Sequence, residues 1–131
     1  MNWPLVFKLS LFGLAMAILT VFLIPATIEP ICWLVVFIIC AFVIARQGGG
    51  HNFRHGLLLG IVNSVWITAA HALFFDQYIA KHQAEAQAFA NVPIAPRVMM
   101  AIVGPIIGVV SGIVIGILAV IAARLLKAKP A

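Results

Sequence analysis

Carboxylates are almost missing from this chain: Glu29, Asp76 and Glu85 are its three acids among 131 residues. Charged residues of both signs make up 8% of it, against about a quarter in a soluble domain. So few charges cannot keep a protein surface hydrated, which excludes an ordinary water-soluble fold. With 65% hydrophobic residues and a mean hydropathy of +1.21, the chain reads as a single integral membrane domain, 1–131.

Acids are missing inside the apolar runs too, since Glu29 and Asp76 sit at run ends. Proton-coupled exchangers carry a titratable acid within the bilayer, and a small multidrug exporter would show a glutamate inside its first helix. Cysteine is scarce as well. Cys32 and Cys40 lie ~12 Å apart along a helix, too far for a disulfide. Neither forms a C-x-x-C pair, so both read as small apolar filler. The net charge of +5 has Arg and Lys at the ends of apolar runs, with no stripe of interleaved aromatics. Nucleic acid is excluded as a partner; the lipid bilayer is the expected one.

What is abundant is periodic glycine. In the last apolar stretch Gly104, Gly108, Gly112 and Gly116 recur every fourth residue, with no charge between Arg97 and Arg124. On a 3.6-residue helix that spacing makes one slowly drifting stripe. In water each glycine would weaken the helix by ~1 kcal/mol. In lipid the stripe is a groove that admits a second backbone, a glycine zipper.

Taken in order, the apolar run after Lys8 also fits a signal peptide, but no small-x-small cleavage pattern follows it. Counted from Leu5 it reaches the ~20 residues of a span. Spans are expected at about 5–25, 31–47, 56–75 and 98–126, in an all-α four-helix bundle. Pro25 and Pro30 bracket the first connection, Gly48–Gly50 make the second, and Trp33 suits an interfacial belt. The polar segment 76–97 reads as the third helix projecting from the membrane or bending onto its surface, with His82, Asp76 and Glu85 in a solvated loop.

Four spans put both termini on one side with Lys8, Arg46, Arg54, Arg124, Lys127 and Lys129, leaving Lys81 and Arg97 opposite. The positive-inside rule then places both termini in the cytoplasm and segment 76–97 outside.

The third span is the polar one. Gly56, Gly60, Ser64 and Thr68 again step by four, with Asn63 and His71 on or beside that face. Packing of these small residues against the fourth span is the favoured reading. The sharper one is a polar path for a small solute along Asn63, Ser64, Thr68 and His71. His71 is the one titratable group deep enough to relay protons, and it has no evident partner in a second span, which disfavours haem. His51 and His55 are four apart without a third ligand, so no metal is expected. Ser64 and Ser111, the expected buried hydroxyls, have no base placed beside them, so neither an enzyme nor a cofactor is expected. Pro105 reads as a tolerated kink, or in a transporter as a hinge.

Phe53-Arg-His-Gly opening a span, Phe74-Phe75-Asp-Gln-Tyr78 closing it, and the glycine-rich final helix are carried together. In this the chain resembles a class of uncharacterised bacterial four-helix integral membrane proteins of unknown function. The resemblance implies the topology and a bacterial inner membrane, and no activity. The reading is a non-catalytic accessory or structural subunit acting by helix packing, in a larger membrane complex or a homo-oligomer. The alternative is an oligomeric channel or transporter for a small solute.

Overall fold

The structure, a computed structural model, describes residues 1–128. Lys129, counted above among the positive flanks, lies outside the described residues. Asn2 starts α1 (Trp3–Phe22): its Oδ1 accepts the Leu5 amide at 3.1 Å, and Pro4 fills the first turn. The helix therefore begins ahead of the expected Leu5. It stops at Phe22, where the amides of Leu23 and Ile24 both reach the Leu19 carbonyl.

Helix α2 (Glu29–Gln47) begins ahead of Ile31 because its first turn admits Pro30. It ends in the glycine triplet, where Gly49 and Gly50 take φ of +60° and +90°, values that L side chains avoid. Helix α3 (Asn52–Leu73) follows.

The third span does not project as one continuous helix. The backbone breaks at Phe74 (φ −108°, ψ 43°), runs as α4 (Phe75–Lys81), breaks again at His82 (φ −129°, ψ 65°) and runs as α5 (Gln83–Ala90). Helix α6 (Pro96–Ala128) is continuous through Pro105. At 33 residues it is about 50 Å long, more than the ~30 Å of a bilayer's hydrocarbon. Arg97 donates from Nε to the Ala72 carbonyl at 3.0 Å and lies over the Phe75 ring, so a cation closes the C-terminus of α3.

Four helices, α1, α2, α3 and α6, are long and apolar enough to cross a membrane. Large apolar side chains such as Ile106, Val110 and Ile117 are exposed along α6, a surface suited to lipid. The four spans share a core near the termini, where Leu5, Leu9, Ile44, Leu59, Ile115 and Ala119 are buried together. At the opposite end Val21, Tyr78 and Met100 form a second core, with Phe75 and Phe89 packed against it. Helices α4 and α5 thus cap one end of the bundle.

The axis of the bundle is the α3–α6 pair. Gly56 meets Gly116, Gly60 meets Gly112, Ser64 meets Gly108 and Thr68 meets Gly104. Each step of four up α3 matches a step of four down α6, so the helices run antiparallel in one register. A Cβ on Gly112 would lie 2.5 Å from the Leu57 carbonyl oxygen, and one on Gly116 2.8 Å from that of Phe53. The hydrogens in those positions point at the carbonyls, the Cα–H···O contact of closely packed helices. Helix α1 lies along α3, and α2 packs against α6.

Candidate functional site

Near the termini the four spans close on one another, but toward the capped end α2 stands off from the α3–α6 pair. The gap is a cavity of about 700 Å³. Trp33, Leu34 and Phe37 of α2 form one wall; Met100, Val103 and Ile107 of α6 form another. Down the α3 side run Asn63, Ser64, Thr68 and His71, all four residues of the polar path read from the sequence. Gly104, Gly108 and Ser111 complete the floor, and Tyr78, Glu85 and Phe89 come from the cap. Gly56, Gly112 and Gly116 are committed to the seam on the other side of that floor.

The small residues separate in function here. Ser64 donates to the Ile61 carbonyl at 2.7 Å, the return bond by which a helix satisfies a hydroxyl in apolar surroundings. Asn63 is 3% exposed, and its Oδ1 packs over Gly13 of α1 without a hydrogen-bond partner among the described residues. His71 is hydrogen-bonded across to a second span, through a hydroxyl and not a second imidazole. The Thr20 hydroxyl, from α1, lies 2.9 Å from His71 Nε2 and 3.2 Å from the Ala17 carbonyl. If Thr20 donates to that carbonyl, its oxygen accepts from Nε2–H, and His71 Nδ1 carries a free lone pair. Thr20 and Ser10 are the most deeply buried hydroxyls, while Ser111, expected to be buried, is half-buried.

The largest departure concerns His82. It is not part of a solvated loop but fully buried, at 0% exposure. Its Nδ1 lies 2.9 Å from the Tyr78 carbonyl, which can only accept, so Nδ1 carries the hydrogen. Its Nε2 lies 2.6 Å from Glu29 Oε2. One proton bridges that pair, as imidazolium with carboxylate or imidazole with carboxylic acid. The other Glu29 oxygen accepts from Trp33 Nε1 at 3.1 Å, so Trp33 is held by the acid at the helix start.

Tyr78 lies between the two histidines. Its ring centroid is 3.9 Å from that of His71 and 4.0 Å from that of His82, each at 19° to parallel. The result is a three-ring stack running from α3 to Glu29, and two of its rings, His71 and Tyr78, line the cavity. Burial raises the Tyr78 phenol above its ordinary value, and the negative charges of Glu29 and Glu85 raise it further. A native state that holds a proton more tightly than the unfolded chain loses stability once the pH exceeds the unfolded pKa, here about 10. Tyr78→Phe is expected to abolish this alkaline loss. Melting temperatures of both proteins in detergent at about pH 8 and about pH 11 measure it; equal declines would contradict the burial assigned to the phenol.

His55 is another buried imidazole, but structural: Nδ1 bonds the His51 carbonyl at 2.8 Å and Nε2 accepts the Asn2 amide at 2.9 Å. His51 is exposed, and among the described residues no three His, Cys, Asp or Glu gather as metal ligands.

The chain was compared with protein-family models, curated proteins and solved structures, and none of them matches. The functional reading therefore rests on the cavity and its polar end.

Proposed function

We propose that the protein is a small channel or transporter of the bacterial inner membrane, which takes up a small solute between α2 and the α3–α6 pair. The observation that carries this is the cavity of about 700 Å³, a volume within the ~300–1,000 Å³ range of small-molecule sites. Its combination of apolar walls and a few convergent polar groups suits a ligand with both characters. In this reading the α3–α6 seam is a glycine zipper that serves as a rigid spine, and no covalent chemistry is assigned. The positive charges Lys8, Arg46, Arg54, Arg124 and Lys127 support a topology with both termini in the cytoplasm, in which α4 and α5 face the outside. The resemblance of the Phe53–Gly56 and Phe74–Tyr78 stretches to bacterial four-helix membrane proteins supports the same compartment.

The second reading is a non-catalytic accessory subunit that acts by helix packing within a larger membrane complex. It draws on the glycine stripes, but those are turned toward each other inside the chain. A partner would have to meet other faces.

Native mass after mild detergent extraction from the source membrane separates the two. A monomer or homo-oligomer is expected. Stoichiometric co-migration with other proteins in a large assembly would favour the accessory subunit.

A further inference from the structure

The charges around the cavity are of one sign. Glu29 and Glu85 line it, whereas no Lys or Arg among the described residues does. Arg97 is engaged with the Ala72 carbonyl and the Phe75 ring, and Lys81 is exposed. Glu85 Oε2 is buried without a hydrogen-bond partner among the described residues. Unsatisfied acceptors of this kind are costly in an apolar setting unless a donor or cation arrives. The rest of the wall is apolar and aromatic, with Trp33, Phe37 and Phe89 among its faces. Aromatic faces attract a desolvated cation, and the apolar wall takes a hydrocarbon body. A bare metal ion is poorly served, since no three His, Cys, Asp or Glu converge among the described residues.

We infer that the cavity binds an apolar-bodied organic cation, its charge set against the carboxylates of Glu29 and Glu85. This rests on the solute reading above and names the solute's class. Glu29 is paired with His82 at 2.6 Å. The other titratable or charged groups around the pair are His71 from α3, Tyr78 from α4 and Glu85 from α5. Helix α1 brings the uncharged Thr20, and the nearest charge on α6, Arg97, is held by Ala72 and Phe75.

The test is calorimetric titration of the purified protein with tetraphenylphosphonium, tetraphenylborate and triphenylphosphine oxide. These are a cation, an anion of the same shape and a neutral relative. The cation is expected to bind at least about tenfold more tightly than the other two. Glu29→Gln with Glu85→Gln should lower its affinity by at least about tenfold. Comparable binding of all three probes would leave a solute cavity but overturn the cation assignment. Binding of none would overturn both readings. Cation selectivity that survives the double variant would remove the two acids from the site and overturn the assignment. The charge series on the unaltered protein decides the cation question even where the variant fails to fold.

Discussion

Gly60→Leu and Gly112→Leu should each prevent the bundle from forming a stable, monodisperse protein in detergent. Both positions face backbone rather than side chain. A Cβ on Gly60 would strike Gly112 itself, and one on Gly112 would meet the Leu57 carbonyl and Cα. Backbone in a helix cannot rotate away, so the helices must separate along the seam and lose contacts over several turns. Overpacking a core costs about 1–3 kcal/mol where side chains can shift; here the cost should be at the top of that range or above it. That is a large share of a total stability of ~5–15 kcal/mol. The same principle sets an order among smaller substitutions. Gly104 faces mainly the Thr68 side chain, which can turn, so Gly104→Ala should be milder than Gly60→Ala. Ala101→Leu, on the exposed side of α6, should change stability by no more than about 0.5 kcal/mol. Thermal unfolding in detergent reads the series. Equal tolerance of leucine at Gly60 and Ala101 would mean that the two helices do not meet at this register.

The second large effect is expected at the Glu29–His82 pair. Glu29→Ala leaves a fully buried imidazole without its 2.6 Å partner and frees the Trp33 indole as well. Removing one member of a buried pair costs about 3–5 kcal/mol; with the Glu29 side chain 19% exposed, about 2–4 kcal/mol is the expectation. The loss should be local before it is global. Within this bundle the pair joins the start of α2 to the break between α4 and α5, so its removal should loosen the cap. Trypsin cleavage after the exposed Lys81 should then speed up by about tenfold or more. Glu29→Gln keeps a donor toward His82 Nε2 and should lose only about 1 kcal/mol. Unchanged cleavage in Glu29→Ala would show that the cap is held by its apolar contacts alone.

These two regions differ in how far they could be read from residues alone. The seam was legible because both of its stripes repeat at the helix period. Gly56, Gly60, Ser64 and Thr68 on one helix and Gly104 to Gly116 on the other needed no knowledge of the rest of the chain. The cap was not legible. Composition from Asp76 to Ala90 favours helix throughout, and nothing local marks His82 as the residue at which the backbone turns inward. Its partner, Glu29, is 53 residues away in sequence and looks like an ordinary helix-start acid. The Thr20–His71 bond and the seat of Asn63 on Gly13 were hidden for a similar reason. Helix α1 is so uniformly apolar that its few small and polar positions make no periodic signal. Asn63, Ser64, Thr68 and His71 were singled out as a polar face, but the cavity they line exists because α2 stands away from them, and only packing decides that.

The account depends most on that cavity being open to water inside an otherwise apolar bundle. The most direct measurement is labelling by a positively charged methanethiosulfonate in proteoliposomes, with Cys32 and Cys40 replaced by alanine. Ser111→Cys places a thiol on the cavity floor, and Val110→Cys places one on the exposed apolar face of α6, where Val110 is 57% accessible. Only a hydrated thiol ionises and reacts readily, so Ser111→Cys should label faster than Val110→Cys by on the order of tenfold or more. If the two thiols are equally inert, the space between α2 and the α3–α6 pair is closed or filled with lipid, and the solute reading fails.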